Sequence, residues 1–185
     1  MGVQGFHQFA INEGGNPDNQ LAYILPDEKA SGVGAKVGFF KGSHNLSFNY
    51  LGINDKGRFL FPREWGREQL FASMPRERYE GAGGMNAYVI KYDLVTPVDG
   101  LFVQMGAGLV NHSSMTSFTT NKYGIPSYYH FTGMHEYRFK NSLEGLNLQF
   151  LAVNKSAKER NSLSDINKIN RVDMWNLNFI VDYRF

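Results

Sequence analysis

Apolar and polar side chains alternate along this chain with a period of two. That is the period a β-strand imposes, because successive strand side chains point to opposite faces. The end of the chain shows it most plainly. Trp175, Leu177, Phe179, Val181, Tyr183 and Phe185 share one parity; Asn176, Asn178, Ile180, Asp182 and Arg184 share the other. Upstream, Tyr88, Ile90, Tyr92 and Leu94 oppose Val89, Lys91 and Asp93, and Leu101, Val103, Met105, Ala107 and Leu109 oppose Phe102, Gln104, Gly106 and Gly108. Tyr129, Phe131, Tyr137 and Phe139 oppose His130, Thr132, Glu136 and Arg138. Leu146, Leu148 and Phe150 oppose Asn147 and Gln149, and Leu46, Phe48 and Tyr50 oppose Asn45, Ser47 and Asn49. Weaker alternation marks 2–11 and 33–42. The pattern predicts about eight strands. A short helix is expected only at 63–72, where Pro62 suits a first helical turn.

The connections divide into two classes in strict turn. Segments 12–32, 54–84, 112–126 and 158–172 are long; those near 42–44, 96–100 and 140–145 are short and carry the Pro, Asn, Asp and Gly of tight turns. A soluble sandwich, the rival reading of the alternation, has no reason to gather its long loops at one end. Outer-membrane barrels do, with short periplasmic turns and long external loops. Strands of about ten residues suit a tilted crossing of the hydrocarbon core. Only helices and closed barrels satisfy the backbone there. Aromatics fall near both strand ends, where membrane interfaces favour them. Phe179, Val181, Tyr183 and Phe185 resemble the terminal-strand signature that the barrel-assembly machinery reads. The expected fold is therefore all-β: an antiparallel transmembrane β-barrel with about eight strands present, 1–185 being one domain and part of a larger barrel of about 16–18 strands.

Composition narrows the chemistry. No stretch approaches the roughly 20 apolar residues of a membrane helix, and mean hydropathy is −0.37. The absence of cysteine removes thiolate ligands, disulfides and cysteine nucleophiles. A net charge of +2, with bases interleaved among acids, leaves no nucleic-acid footprint. His7, His44, His112, His130 and His135 lack metal-binding spacing. The Ser113, Ser114, Thr116 and Ser117 cluster beside His112 lacks a positioned acid. Gly81 to Gly84 is followed by neither Lys-Ser/Thr nor a helix, so it is no phosphate loop. No enzyme, metal or cofactor is expected. The opening residues lack the charged start and apolar core of a secretory leader. An exported chain would then have lost its leader or would begin upstream.

The most unusual stretch lies in 54–84. Arg58, Arg63, Glu64, Arg67, Glu68, Arg76, Glu77 and Arg78 are packed among Phe59, Phe61, Trp65 and Phe71. Folded into a lumen, such charges would narrow the passage and select solutes by sign and size. The arginines and glutamates could equally pair with one another and pin the loop to the wall; the two roles are compatible. The run Arg58-Phe59-Leu60-Phe61-Pro62-Arg63-Glu64-Trp65-Gly66-Arg67-Glu68, with Pro75-Arg76-Glu77-Arg78, resembles a segment of OprD-type outer-membrane porins. Asn16-Pro17, Ala22-Tyr23 and the final strand resemble the family more loosely. The resemblance implies an 18-stranded barrel that passes small polar, often carboxylate-bearing solutes by arginines in its constriction. Arg63, Arg67, Arg76 and Arg78 are its candidates by motif. Which loop forms the constriction is left open.

The functional expectation is a passive porin in the bacterial outer membrane. Its lumen would be lined by Lys91, Asp93, Gln104, His130, Glu136, Arg138, Asn147, Gln149, Asn176, Asn178, Asp182 and Arg184. Expected partners are outer-membrane lipid, the barrel-assembly machinery, small polar solutes and copies of the same chain. The alternative is a closed eight-stranded barrel with a structural or adhesive role, which would need 2–11 to pair with 174–185.

Overall fold

Eight β-branched and aromatic-rich segments pair in chain order into one antiparallel sheet, β1 to β8. A computed structural model describes residues 1–9, 28–60 and 69–184. The strands are β1 (Gly2–Phe9), β2 (Lys29–Lys41), β3 (His44–Ile53), β4 (Met85–Val95), β5 (Leu101–Asn111), β6 (Tyr128–Arg138), β7 (Leu146–Ala157) and β8 (Met174–Tyr183). Among the described residues helix is confined to α1 (Asp165–Lys168) and the single 3-10 turns Asn141–Leu143 and Arg160–Ser162. Every neighbour in the sheet is also a neighbour in sequence, so a turn or loop at each end suffices to make the topology. β1 and β8 are the two edges of the sheet. The eight-strand ring that would join them is not formed.

The register sorts the side chains into two faces. Directly opposed residues share a face, and one row runs Lys36, Asn49, Val89, Gly108, His130 and Lys155 across six strands. The next row runs Gly38, Ser47, Lys91, Gly106, Thr132 and Val153. Another joins Asn45, Asp93, Gln104 and Met134 to Leu151 and Asn178. This face is covered in its upper part by the connection between β3 and β4. The opposite face stays open, and its apolar side chains are exposed: Phe48, Tyr88, Ile90, Met105, Phe131 and the β8 series from Trp175 to Tyr183 among them. An uncovered apolar surface this continuous marks a contact with something apolar.

The buried core lies on the covered face. Leu51, Ile53, Met85, Ala87, Val89, Val110 and Tyr128 come from the strands. Phe59, Leu70, Ala72, Met74, Tyr79 and Ala82 come from the connection that folds over them. Glycine makes room for it. A Cβ on Gly106 would stand 2.8 Å from Met74 Sδ, and one on Gly108 would stand 3.1 Å from Met74 Cε.

Some expectations shift. β2 begins at Lys29 rather than 33, because Ala30, Ser31 and Gly32 pair with Gln8, His7 and Phe6. These small residues carry no alternation, so the long connection after β1 is shorter than 12–32. Of the helix expected at 63–72, residues 61–68 lie outside those described, and 69–72 form an irregular turn. Ile180 and Phe40 are exposed apolar residues on the covered face of the sheet.

Candidate functional site

The site is the meeting of the 54–84 connection with the covered face. It starts as a small external ladder. Phe59 bridges Ala82, and Ala82 bridges Asn121, so the connection is stitched to the one between β5 and β6. Glu80 ties the two further, accepting from Lys122 Nζ at 3.1 Å and Tyr123 Oη at 2.7 Å. Burial and that hydrogen bond raise the Tyr123 hydroxyl to about 12. Arg171 reaches Gly124 O at 2.9 Å from the last long connection.

From this ladder the chain crosses the sheet. Gln4 of β1 receives Phe71 N–H at 2.9 Å and donates to Gln69 O at 3.0 Å. Gln8 accepts from Leu60 N–H at 2.9 Å and donates to Leu60 O. The Lys91 ammonium of β4 donates to Phe71 O at 2.9 Å and to Ser73 O at 2.6 Å. A turn over Met74 to Glu77 follows, closed by Glu77 N–H to Met74 O. Pro75 pre-sets its first corner; the second is Arg76 at φ 62°, a left-handed conformation that non-glycine residues seldom take. Such an outlier is kept where its surroundings over-determine it. Here Arg76 Nη2 donates to Asn178 Oδ1 at 2.8 Å and its Nε to Asn176 Oδ1 at 3.2 Å, both on β8.

Beyond the turn the segment alternates sharply. Arg76 and Arg78 are exposed, whereas Glu77 and Tyr79 are buried. Glu77 meets His130 Nδ1 at 2.6 Å, Lys155 Nζ at 3.4 Å and the Tyr128 hydroxyl. Burial alone pushes this carboxyl up, but the His130 hydrogen bond, Lys155 and Tyr128 together hold it at about 2. It is an anion, so His130 Nδ1 carries the proton between them. Burial and the Glu77 charge push the Tyr79 hydroxyl well above its usual range. Its proton goes to Ala72 O at 3.0 Å. His112 stacks on Tyr128 at 5.8 Å between ring centroids, and burial lowers it to about 4. Arg78 lies over the Tyr123 ring at 4.9 Å.

The residues expected at a constriction thus divide. Arg76 and Arg78 stand on the exposed side of the segment. Glu77 does not; it faces the sheet, because Lys155 offers the cation, and His130 and Tyr128 the hydrogen bonds, that a buried carboxylate requires. Nor does it pair with the loop arginines. Arg58 sits at the base of the ladder, its Nε 3.4 Å from Glu28 Oε1, both side chains largely buried. Arg63, Glu64, Arg67 and Glu68 lie outside the described residues, as does Phe185 of the terminal signature. Phe179, Val181 and Tyr183 occupy the open face of β8.

The wall residues further along form a separate group. Asp93 accepts from Asn45 at 3.0 Å and from Gln104 at 2.8 Å. Near the short turns, Glu136 pairs with Arg138 at 2.5 Å and Asp182 with Arg184 at 3.2 Å. Their charges pair locally. Lys155 and Tyr128 were missed as site residues. Parity pointed to each: Lys155 shares the parity of Asn147, and Tyr128 that of His130. No cluster of three or more metal-binding side chains occurs among the described residues. No helix among them is long and apolar enough to cross a membrane, which bears on helices alone.

Compared with models of known families, with curated proteins and with solved structures, the chain matches none.

Proposed function

We propose that this chain is part of the wall of an outer-membrane β-barrel pore, and that 54–84 is the segment that narrows it. Small polar solutes, anions preferentially, diffuse past its arginines. One observation carries the reading. The connection folds across the polar face of the sheet, burying Glu77 and exposing Arg76 and Arg78, while the opposite face is largely apolar, broken in mid-sheet by His135. A soluble sandwich would bury that apolar surface. A barrel in lipid leaves it outward and keeps polar groups inside.

The charges give the preference its sign. Lys155 balances the Glu77 charge, and Arg76 and Arg78 stand exposed with no carboxylate partner among the described residues. An arginine fork suits carboxylates, as the OprD-type resemblance also implies. The unpaired edges of β1 and β8 support a larger ring, of about 16–18 strands, over a closed ring of eight.

Planar-bilayer recording on the intact protein tests this. Wild type should give large, steady steps with anion preference under a salt gradient. Arg76→Ala with Arg78→Ala should move the reversal potential toward zero. An unchanged potential removes the arginines from the mechanism, and the absence of any channel removes the pore.

A further inference from the structure

The narrowing segment must be held at a fixed height above the wall, and Glu77 is the residue whose contacts do this with a charge. Its two oxygens are fully committed. Oε1 takes the Tyr128 hydroxyl, Lys155 Nζ at 3.4 Å and the Arg78 backbone N–H at 2.9 Å; Oε2 takes His130 Nδ1 at 2.6 Å. The partners come from β6, β7 and the segment itself. The remaining titratable groups nearby are Tyr79, turned toward Ala72 O, and His112, stacked against Tyr128. The other anchors of 69–79 to the sheet pair no charge with charge: Lys91 sits on two carbonyls, Met74 over Gly106 and Gly108, and Arg76 on two asparagines. The Glu80–Lys122 and Arg58–Glu28 ion pairs tie the flanks of the segment to other connections.

The charged contact differs from these in selectivity. His130 and Lys155 face each other in one row of the sheet. On the same two strands the adjacent rows pair Thr132 with Val153 and Tyr128 with Ala157, and neither pair offers a cation; Lys91, in the Thr132 row, stands on β4 and is held by Phe71 O and Ser73 O. A segment that slid by one row would bury a carboxylate with no counter-charge and leave a buried lysine alone. Either is costly in a low-dielectric setting. The carbonyl contacts of Lys91 discriminate less, since a backbone carbonyl recurs at every residue.

We propose that Glu77 is the positioning residue of the passage: it acts through the segment, fixing where Arg76 and Arg78 stand, and without it a steady aperture becomes a fluctuating one. This rests on the pore reading above, and the experiment separates the two. The intact protein is recorded in planar bilayers as wild type, Glu77→Gln and Tyr128→Phe. In parallel, each folded barrel is digested with trypsin, and cleavage after Arg76 and Arg78 is followed by mass spectrometry. Glu77→Gln should conduct with rapid transitions among sub-levels. Its cleavage should be about tenfold faster or more, since local opening scales with the charged hydrogen bonds lost. Tyr128→Phe, which keeps the charge and removes one bond, should change both readouts in the same direction by less. An assembled Glu77→Gln protein with wild-type current noise and wild-type cleavage overturns the role while leaving the pore standing. If Glu77→Gln does not assemble, Tyr128→Phe decides by the same criteria. A wild type that does not conduct overturns the pore, and the positioning role with it.

Discussion

Replacing Gly106 with valine would test whether the segment's seat is carved out of the sheet. The new Cβ would lie 2.6 Å from Thr132 Oγ1 and 2.8 Å from Met74 Sδ. Thr132 relieves its contact by turning Oγ1 to another χ1 rotamer, whereas Met74, seated on the glycine, must leave. Met74 is 6% exposed, and burying such a side chain stabilises by about 1.5–3 kcal/mol. The strand itself gains, because glycine in a strand interior costs about 0.5–1 kcal/mol relative to alanine. The two effects therefore separate by location. The sheet should become slightly more stable while the docking of 69–79 weakens by about 2 kcal/mol, or about 30-fold in the open population. Tryptic cleavage after Arg76 and Arg78 reads the second; the temperature at which the folded protein loses its compact mobility in detergent gels reads the first. Faster cleavage with an unchanged or higher transition temperature is the expected outcome. Unaltered cleavage would show that Met74 does not need the glycine floor, and would refute the packing argument.

Further predictions follow from the two faces and from the buried acid. Phe179→Arg, on the open face of β8, should cost about 2–4 kcal/mol or block assembly if that face lies in lipid. Asn178→Arg, on the covered face beside Arg76, should assemble and disturb only the segment; equal folded fractions in a gel-shift assay would contradict the face assignment. Docking should also depend on pH in two stages. His112 is lowered from 6.5 to about 4, so the proton that the opened state binds first destabilises the seat as pH falls through that window. Glu77 is lowered from 4.5 to about 2, so its contribution is complete above 4.5 and is lost on descending toward 2. Hydrogen exchange of the 69–79 amides should show both losses. His112→Phe should remove the upper one and Glu77→Gln the lower; retention of both steps in either variant would refute the assignment.

Period-two alternation was enough to read most of the strands, because a sheet with one apolar face repeats that pattern at every crossing. Residues 85–95 and 101–111 coincide with β4 and β5. The start of β2 was invisible because Ala30, Ser31 and Gly32 have no apolar or polar signature; pairing with β1 is what recruits them. The site was less legible. Arg76 and Arg78 were picked out from charge density, yet Glu77 between them looked like another pore-lining charge. Its inward turn depends on His130 and Lys155, which lie 53 and 78 residues away. Lys155 followed Leu151 and Val153, two apolar residues on its own parity, and so did not read as part of a polar wall. The glycine floor under Met74 gave no signal either, since Gly106 and Gly108 read simply as small residues on the polar parity.

The segment that crosses the sheet touches both of its margins. Gln4 of β1 holds it at Gln69 and Phe71, and Asn176 and Asn178 of β8 hold it at Arg76, only five residues on from Phe71. The two edge strands, which share no ladder, are thus joined by a short tie strung across one side of the sheet. A tie of this kind works as a bowstring. It resists flattening, because moving the margins apart would stretch a chain of about 18 Å at most between those anchors. Curvature and docking are then one mechanical variable, and any change that frees the string also relaxes the bow.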